Sequence, residues 1–265
     1  MNRRLERSLK RIFRFFGLGV MSRGTLDDLL ESKGSRFDIE FLAALPDPHI
    51  AFFLKRIDES RAQRRQDIFV LSELCLKTNG FFVEFGAGNG VDFSNTYMLE
   101  KAFGWRGILS EPARPWHAAL KENRSCIVET YCVWRESATL VEFTETKNPC
   151  FSTIRSFRDK DFQAEARKGG RTYEVETITL ADLLASHDAP AEIDCLSIDT
   201  EGSEYEILRA FDFDRYHFGV ITCGHNYTPQ REEIHAPLAS KGYQRKFEEL
   251  SDCDDWYVRR TSETS

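Results

Sequence analysis

Two hydrophobic periodicities divide this 265-residue chain. From Ile50 to about Lys77 the apolar positions recur at helical spacing, up to the stop signal Asn79-Gly80. Then the texture changes. Phe81-Phe82-Val83-Glu84-Phe85 is a short apolar run closed by glycines and reads as a buried strand. Ser94 to Phe103 follows as a helix with Ser94 as its N-cap. Next come a strand at Gly107–Ser110, a helix at Pro115–Asn123 and a strand at Cys126–Val133. Residues 138–178 break this rhythm with two alternating segments, Leu140–Thr144 and Tyr173–Ile178, around a polar stretch. Alternation then resumes: helix Leu180–His187, strand Ile193–Ile198, helix Ser203–Phe211, strand Val220–Cys223. The next helix is Pro229–Lys241, with Thr228 as its cap and Pro229 in its first turn. Strands near Tyr243–Phe247 and Trp256–Arg259 are joined by a short turn-rich link and should pair antiparallel. The pattern predicts a doubly wound α/β sheet with mixed direction at one edge.

The N-terminus differs. Residues 1–14 carry Arg3, Arg4, Arg7, Lys10, Arg11 and Arg14 against Glu6 alone, and Leu5, Leu9, Ile12, Phe13 and Phe16 fall on the opposite side of a helix. This is the pattern of a helix lying on an anionic membrane surface through residues 1–16, or of a basic face left in solvent. The expected partition is a basic amphipathic helix over 1–21, a helical extension over 22–78, the α/β domain over 79–260 and a polar tail over 261–265. Residues 22–45 read as a connecting segment within that extension. The whole chain has a net charge of -7, which argues against a nucleic-acid partner. No apolar run reaches the length of a spanning helix. The 7 cysteines form no C-x-x-C pair, which favours a reducing, cytoplasmic setting over disulfides or thiolate zinc. They and Trp105, Trp134 and Trp256 read as core residues.

In such a sheet ligands bind beyond the carboxyl ends of the strands, where the strand order reverses. The first of those loops is Glu84-Phe85-Gly86-Ala87-Gly88-Asn89-Gly90. Its G-x-G-x-G spacing is not the G-x-G-x-x-G of a nicotinamide dinucleotide site, which disfavours a dehydrogenase. An acid running into such a loop suits S-adenosylmethionine, whose ammonium and sulfonium seek carboxylates and carbonyls. A tight strand–helix turn uses the same residues. Glu111 ends the second strand, where a carboxylate accepts both ribose hydroxyls or simply faces solvent. After the fourth strand, Ser203 and Glu206 form a capping box, leaving Asp199 and Glu201 at the sheet mouth. One of these holds an ammonium, binds a metal or accepts a proton. His225 follows the fifth strand; it either deprotonates a substrate hydroxyl or bonds a loop carbonyl. His49, His117, His187, His217 and His235 have no assigned role.

Gly80-Phe-Phe-Val-Glu84-Phe-Gly-Ala-Gly-Asn-Gly90, Ser94-Asn-Thr-Tyr97, Gly104-Trp-Arg-Gly-Ile-Leu109, Glu111-Pro112 and Ile198-Asp-Thr-Glu-Gly-Ser-Glu204 resemble the FkbM-type methyltransferases. His225-Asn226-Tyr227 and Asp254-Asp255-Trp256-Tyr257 fit the same family, so the likeness runs from about Gln63 to Val258. It implies a Rossmann-like methyltransferase fold with a seven-stranded mixed sheet ordered 3-2-1-4-5-7-6. It also implies S-adenosylmethionine-dependent O-methylation of a sugar, a glycolipid or polysaccharide precursor, or a related natural product. On this reading Glu84, Gly86, Ala87, Gly88, Asn89, Gly90, Glu111 and Asp199 hold the cofactor. His225 or Asp199 is the base, and Glu201 and Asn226 contact a small-molecule or glycan acceptor. Asp199 with His225 or Asn226 holding a divalent cation is the alternative. Gly224 stands where the family commonly has Glu, which weakens the metal version and supports a rival reading, a catalytically impaired module that only binds cofactor or glycan. The interrupting segment 138–178 is assigned by elimination to the acceptor pocket.

Overall fold

The computed structural model describes residues 33–260. The predicted membrane helix over residues 1–21 and the polar tail therefore lie outside the described residues. The chain divides into two compact units between Leu54 and Lys55. The first contains helices α1 (Lys33–Ala43) and α2 (Asp47–Phe53), in which Phe41, Leu42 and Phe53 are buried. The helical spacing from Ile50 to Lys77 does not form one helix. A 3-10 turn (Ile57–Glu59) and helix α3 (Gln66–Glu73) follow, because Ser60 is extended (ψ 135°) and Arg65 turns left-handed (φ 62°) just before α3.

Among the described residues the second unit holds eleven strands: β1 (Phe81–Phe85), β2 (Arg106–Ser110), β3 (Ile127–Glu129), β4 (Cys132–Val133), β5 (Leu140–Glu145), β6 (Thr153–Ile154), β7 (Arg171–Ile178), β8 (Glu192–Ile198), β9 (His217–Gly224), β10 (Tyr243–Lys246) and β11 (Asp254–Arg259). Seven of them make a sheet in the order β3-β2-β1-β8-β9-β11-β10. Counted along the whole chain this is not 3-2-1-4-5-7-6, because a second sheet, β4-β7-β5-β6, intervenes between β3 and β8. Counted within the large sheet alone, the neighbours do follow that order. Six strands run in one direction, and β11 lies antiparallel between β9 and β10. Every residue of β1 is buried, as expected of a central parallel strand covered on both faces. Helices α4 (Tyr97–Phe103), α5 (His117–Asn123), α6 (Leu180–Ser186), α7 (Glu204–Ala210) and α8 (Gln230–Ser240) complete the unit. The largest core packs Val83, Ile108, Leu183, Leu196, Phe218 and Ile221 together.

Several local expectations are corrected. The strand expected over Cys126–Val133 is two strands in different sheets: the Ser110 hydroxyl donates to the Tyr131 carbonyl at 2.8 Å where the chain leaves β3 for β4. Ser94 does not cap a helix, since its hydroxyl is turned to the Glu84 carboxylate and α4 begins at Tyr97. Ser203 and Glu206 do not form a capping box. The Ser203 hydroxyl donates to Thr200 Oγ1, and Glu206 pairs with Arg135 and Arg209. Thr228 does not cap α8, because its hydroxyl donates to the His225 carbonyl. His217 begins a strand instead of flanking a helix, and Cys75 and Cys150 are exposed, not core.

The two alternating segments of 138–178 do pair, as β5 with β7. Their inward side chains Phe143 and Val175 join Ala113, Cys132, Ile154 and Phe157 in a small core of their own.

Candidate active site

The ends of β1, β2 and β8 are stitched together around the glycine loop. Gly86 (φ +73°) donates its N–H to the Ser110 carbonyl at 3.1 Å, and Asp199 donates its own to the Phe85 carbonyl at 3.2 Å. A Cβ on Gly86 would stand 1.8 Å from the Asp199 carbonyl oxygen, so only glycine lets the two loops meet. Beyond it, the Gly88 N–H donates to Glu111 Oε2 at 2.8 Å, while the Ala113 N–H donates to Oε1 at 2.7 Å. Glu111 thus ties its own turn to the loop after β1. Burial pushes its carboxyl up to about 7, against the lowering effect of those two N–H groups.

A cavity of about 290 Å³ opens at these strand ends. Gly86, Ala87, Gly88 and Glu111 line one side, and Asp199, Thr200 and Glu201 another. Asp199 is open to the cavity yet enclosed by protein beyond it. Desolvation, followed by the nearby Glu201, Asp254, Glu204 and Glu84, raises its carboxyl well above the usual carboxylate range. Burial also raises Glu201, to about 7, although Arg167 pulls the other way. Its Oε2 accepts from Arg167 at 2.6 Å and from the Asn226 amide at 3.1 Å. Glu204 closes the start of α7 by accepting from the N–H groups of Thr200 and Gly202.

Glu84, Asn89 and Gly90 do not line this cavity. Glu84 spends its oxygens on Ser94, the Asn95 N–H and Thr96, fixing the turn after the glycine loop. Asn89 accepts from the N–H groups of Val91 and Asp92, which shapes the loop from within. A Cβ on Gly90 would meet Leu120 and Arg124 at 2.7 Å. These three residues build the loop from behind. His225 and Asn226 stand in a neighbouring cavity. Nδ1 of His225 accepts the Tyr227 N–H at 3.0 Å, so Nε2 carries the proton and donates to the Asp254 carbonyl at 3.1 Å. Both ring nitrogens are engaged within the fold, and burial lowers the ring's pKa. Asn226 and Glu201, expected together, are hydrogen-bonded to each other.

Other lining residues escaped sequence reasoning. Gln63 and Phe93 come from loops joined by a bridge between Ala62 and Phe93. Phe143, Asn148, Cys150, Phe151 and Ile154 come from the segment that breaks the alternation. That break was their only signal. Buried Arg167 is the other omission: it holds Asp161 at 2.6 Å, the Phe151 carbonyl at 2.8 Å and Glu201. Among the described residues, no group of three or more His, Cys, Asp or Glu side chains is placed to hold a metal.

The family model for the methyltransferase FkbM domain matches residues 84–254. No curated protein matches the chain in sequence. Among solved structures, a methyltransferase FkbM from Methylobacillus flagellatus KT is similar at 14% identity and TM-score 0.45, over 84% of this chain and 57% of that one. The chain therefore spans less than two thirds of that protein. A Geobacter sulfurreducens methyltransferase gives 12% identity and TM-score 0.42, over 86% of this chain and 96% of that one. The TDP-rhamnose 3′-O-methyltransferase of calicheamicin biosynthesis gives 12% and 0.42, over 90% and 96%. With the strand order, the glycine loop and the acid-ended second strand all in place, the match over residues 84–254 assigns the chain to the FkbM methyltransferase family.

Proposed function

We propose that the chain is an S-adenosylmethionine-dependent O-methyltransferase acting on a hydroxyl of a sugar, a glycolipid or polysaccharide precursor, or a related natural product. One observation carries the donor assignment. Four carboxylates (Asp92, Glu111, Asp199 and Glu201) line the cavity at the glycine loop, and among the described residues no lysine, arginine or histidine does. Such a lining repels a pyrophosphate and attracts a cation. It fits a ligand bearing an ammonium, a sulfonium and a ribose diol, with Glu111 facing the diol and Asp199 the ammonium end. The bound donor supplies an electrophilic methyl group.

The chain supplies position and a proton acceptor. The loop 86–88 and Glu111 fix one partner, while the walls from 143–154 and Glu201 orient the acceptor hydroxyl. Alignment of reacting atoms at about 3–3.5 Å supplies much of the acceleration. Asp199 takes the hydroxyl proton, since His225 has no nitrogen free. A cation bound beside Asp199 offsets its acidic neighbours and favours the ionised form a base needs. The reaction sits in the cytoplasm, with contact to an anionic membrane through residues 1–16 and no nucleic-acid partner.

Calorimetry with S-adenosylhomocysteine, followed by transfer of isotope-labelled methyl from the donor to cell-extract fractions, tests this reading. Heat on binding and label in a carbohydrate or lipid fraction are expected. Binding without any transfer would instead favour the impaired module that Gly224 suggests, where a Cβ lies 3.3 Å from Asp199 Oδ1 and a family glutamate would reach the acid cluster. No binding at all would remove the donor assignment.

A further inference from the structure

A second cavity of about 310 Å³ adjoins the first and has no part in the chemistry above. Its size is that of a small-ligand site. The two share a wall: Glu201 lines the first, Gly202 and Asn226 line the second, and the Asn226–Glu201 hydrogen bond joins them.

Two exposed aromatic side chains neighbour its lining without being part of it, and the Tyr227 ring lies 5.8 Å from that of the lining residue His225. Tyr227 lies between the lining residues Asn226 and Thr228, and Phe162 follows the lining residue Asp161. They are 62% and 59% exposed, with ring centroids 6.0 Å apart.

Tyr227 is also held firmly. Its hydroxyl donates to Asp252, which Arg64 also binds, and its N–H is fixed by His225, whose ring meets the Tyr227 ring edge-on at 5.8 Å. Asn226 and Tyr227 both have positive φ, 47° and 54°, a conformation that costs roughly 1–3 kcal/mol per residue and persists where the surroundings enforce it. The His-Asn-Tyr motif thus puts two lining residues and an exposed ring beside one another.

The lining selects the ligand chemistry. Among the described lining residues Lys160 is the one lysine or arginine against Asp161, Glu204 and Glu233, of which Asp161 is already paired with Arg167, and this lining disfavours a phosphate. Lys160 lies 4.7 Å from the Phe157 ring centroid, and Gln230 adds an amide to that of Asn226. Flat rings beside amides, carboxylates and an ammonium match a sugar, which offers C–H faces to the rings and hydroxyls to the polar groups.

We propose that this cavity is a second acceptor subsite, which takes a neutral glycosyl unit adjacent to the one methylated, with Tyr227 and Phe162 as its stacking platform and Gln230 and Lys160 reading hydroxyls. The inference rests on the carbohydrate reading of the function and extends it: the preferred acceptor is at least a disaccharide. Binding energy gathered here can be used to orient the reacting hydroxyl next door.

The test applies the full-length protein, Tyr227→Ala, Tyr227→Phe, Phe162→Ala and Gln230→Ala to an array of mono- to tetrasaccharides of neutral hexoses and deoxyhexoses. S-adenosylhomocysteine calorimetry is run on each. Retention of glycans of two or more units is expected. The Tyr227→Ala, Phe162→Ala and Gln230→Ala signals should fall at least about tenfold, roughly 1.4 kcal/mol. Tyr227→Phe should retain the signal, and affinity for S-adenosylhomocysteine should stay unchanged throughout. S-adenosylhomocysteine binding with no glycan retained, or with equal signals for wild type and the three alanine substitutions, overturns the subsite and leaves the donor assignment standing. Loss of S-adenosylhomocysteine binding by the wild type overturns both.

Discussion

At the scale of single residues, Asp199 and His225 follow neighbouring strands yet stand in different surroundings. Both end central strands, but only Asp199 faces the cavity, while His225 is bonded through both nitrogens. Asp199→Asn should lower turnover by about 10²–10⁴-fold, as expected for loss of a general base. His225→Asn keeps an acceptor for the Tyr227 N–H and should retain turnover within a few-fold with an unchanged pH profile. Steady-state rates across pH check both. Because the free Asp199 carboxyl is raised, kcat/KM should climb as pH rises through its ionisation. The profile of kcat should climb at lower pH, since a bound cation favours the carboxylate. The glycines separate just as clearly. Gly86→Ala drives a Cβ into the Asp199 carbonyl and should abolish soluble folded protein. Gly88→Ala meets nothing within 4 Å and bears only its left-handed backbone (φ +53°). It should cost roughly 1–2 kcal/mol, a few degrees of melting temperature, as thermal melts would show.

At the scale of elements, Arg167 fastens the small sheet to the large one. Its side chain is fully buried and joins Asp161 and the Phe151 carbonyl, both from the intervening segment, to Glu201 beyond β8. Removing one member of a buried pair leaves the others uncompensated, so Arg167→Ala should destabilise the fold by about 3–5 kcal/mol, measured by denaturant titration. This contact also marks where sequence reading stops. The run Phe81–Phe85 and the closing hairpin are legible because central parallel strands and a short link leave local signatures. The glycine loop with Glu111 and Asp199 is legible because its chemistry sits at strand ends. Arg167 and Phe143 carry no such mark, since their partners are distant in the chain and a lone arginine in a polar stretch looks solvated. The failed caps have a related cause: Ser94, Ser203 and Thr228 each found a partner other than the helix end their spacing suggested. The Ile50–Lys77 periodicity survived as apolar burial but not as one helix, because Arg65 reverses the backbone.

At the scale of the whole molecule, protons accumulate on one side of the large sheet. Glu111 rises from 4.5 to about 7, Glu201 to about 7 and Asp254 from 3.8 to about 6, each chiefly through burial. A carboxyl whose folded value exceeds its unfolded one stabilises the fold fully below the unfolded value and loses that contribution as pH rises through the folded value. The melting temperature of the free protein should therefore fall from about pH 4 to about pH 7.5, the slope easing as each carboxyl passes its folded value. The donor should lessen the fall. Thermal melts with and without it, at several pH values, decide the matter. Gly224→Glu would add a fifth acid to Asp199, Glu201, Glu204 and Asp254 and steepen the same decline. Under the proposed reaction, the four acids of the lining have a final consequence for turnover. Methyl transfer discharges the sulfur, so the spent donor is a neutral thioether where a sulfonium had been. Walls that had gripped a cation then hold its remnant more loosely, and the site favours exchange for a fresh charged molecule over inhibition by its own by-product.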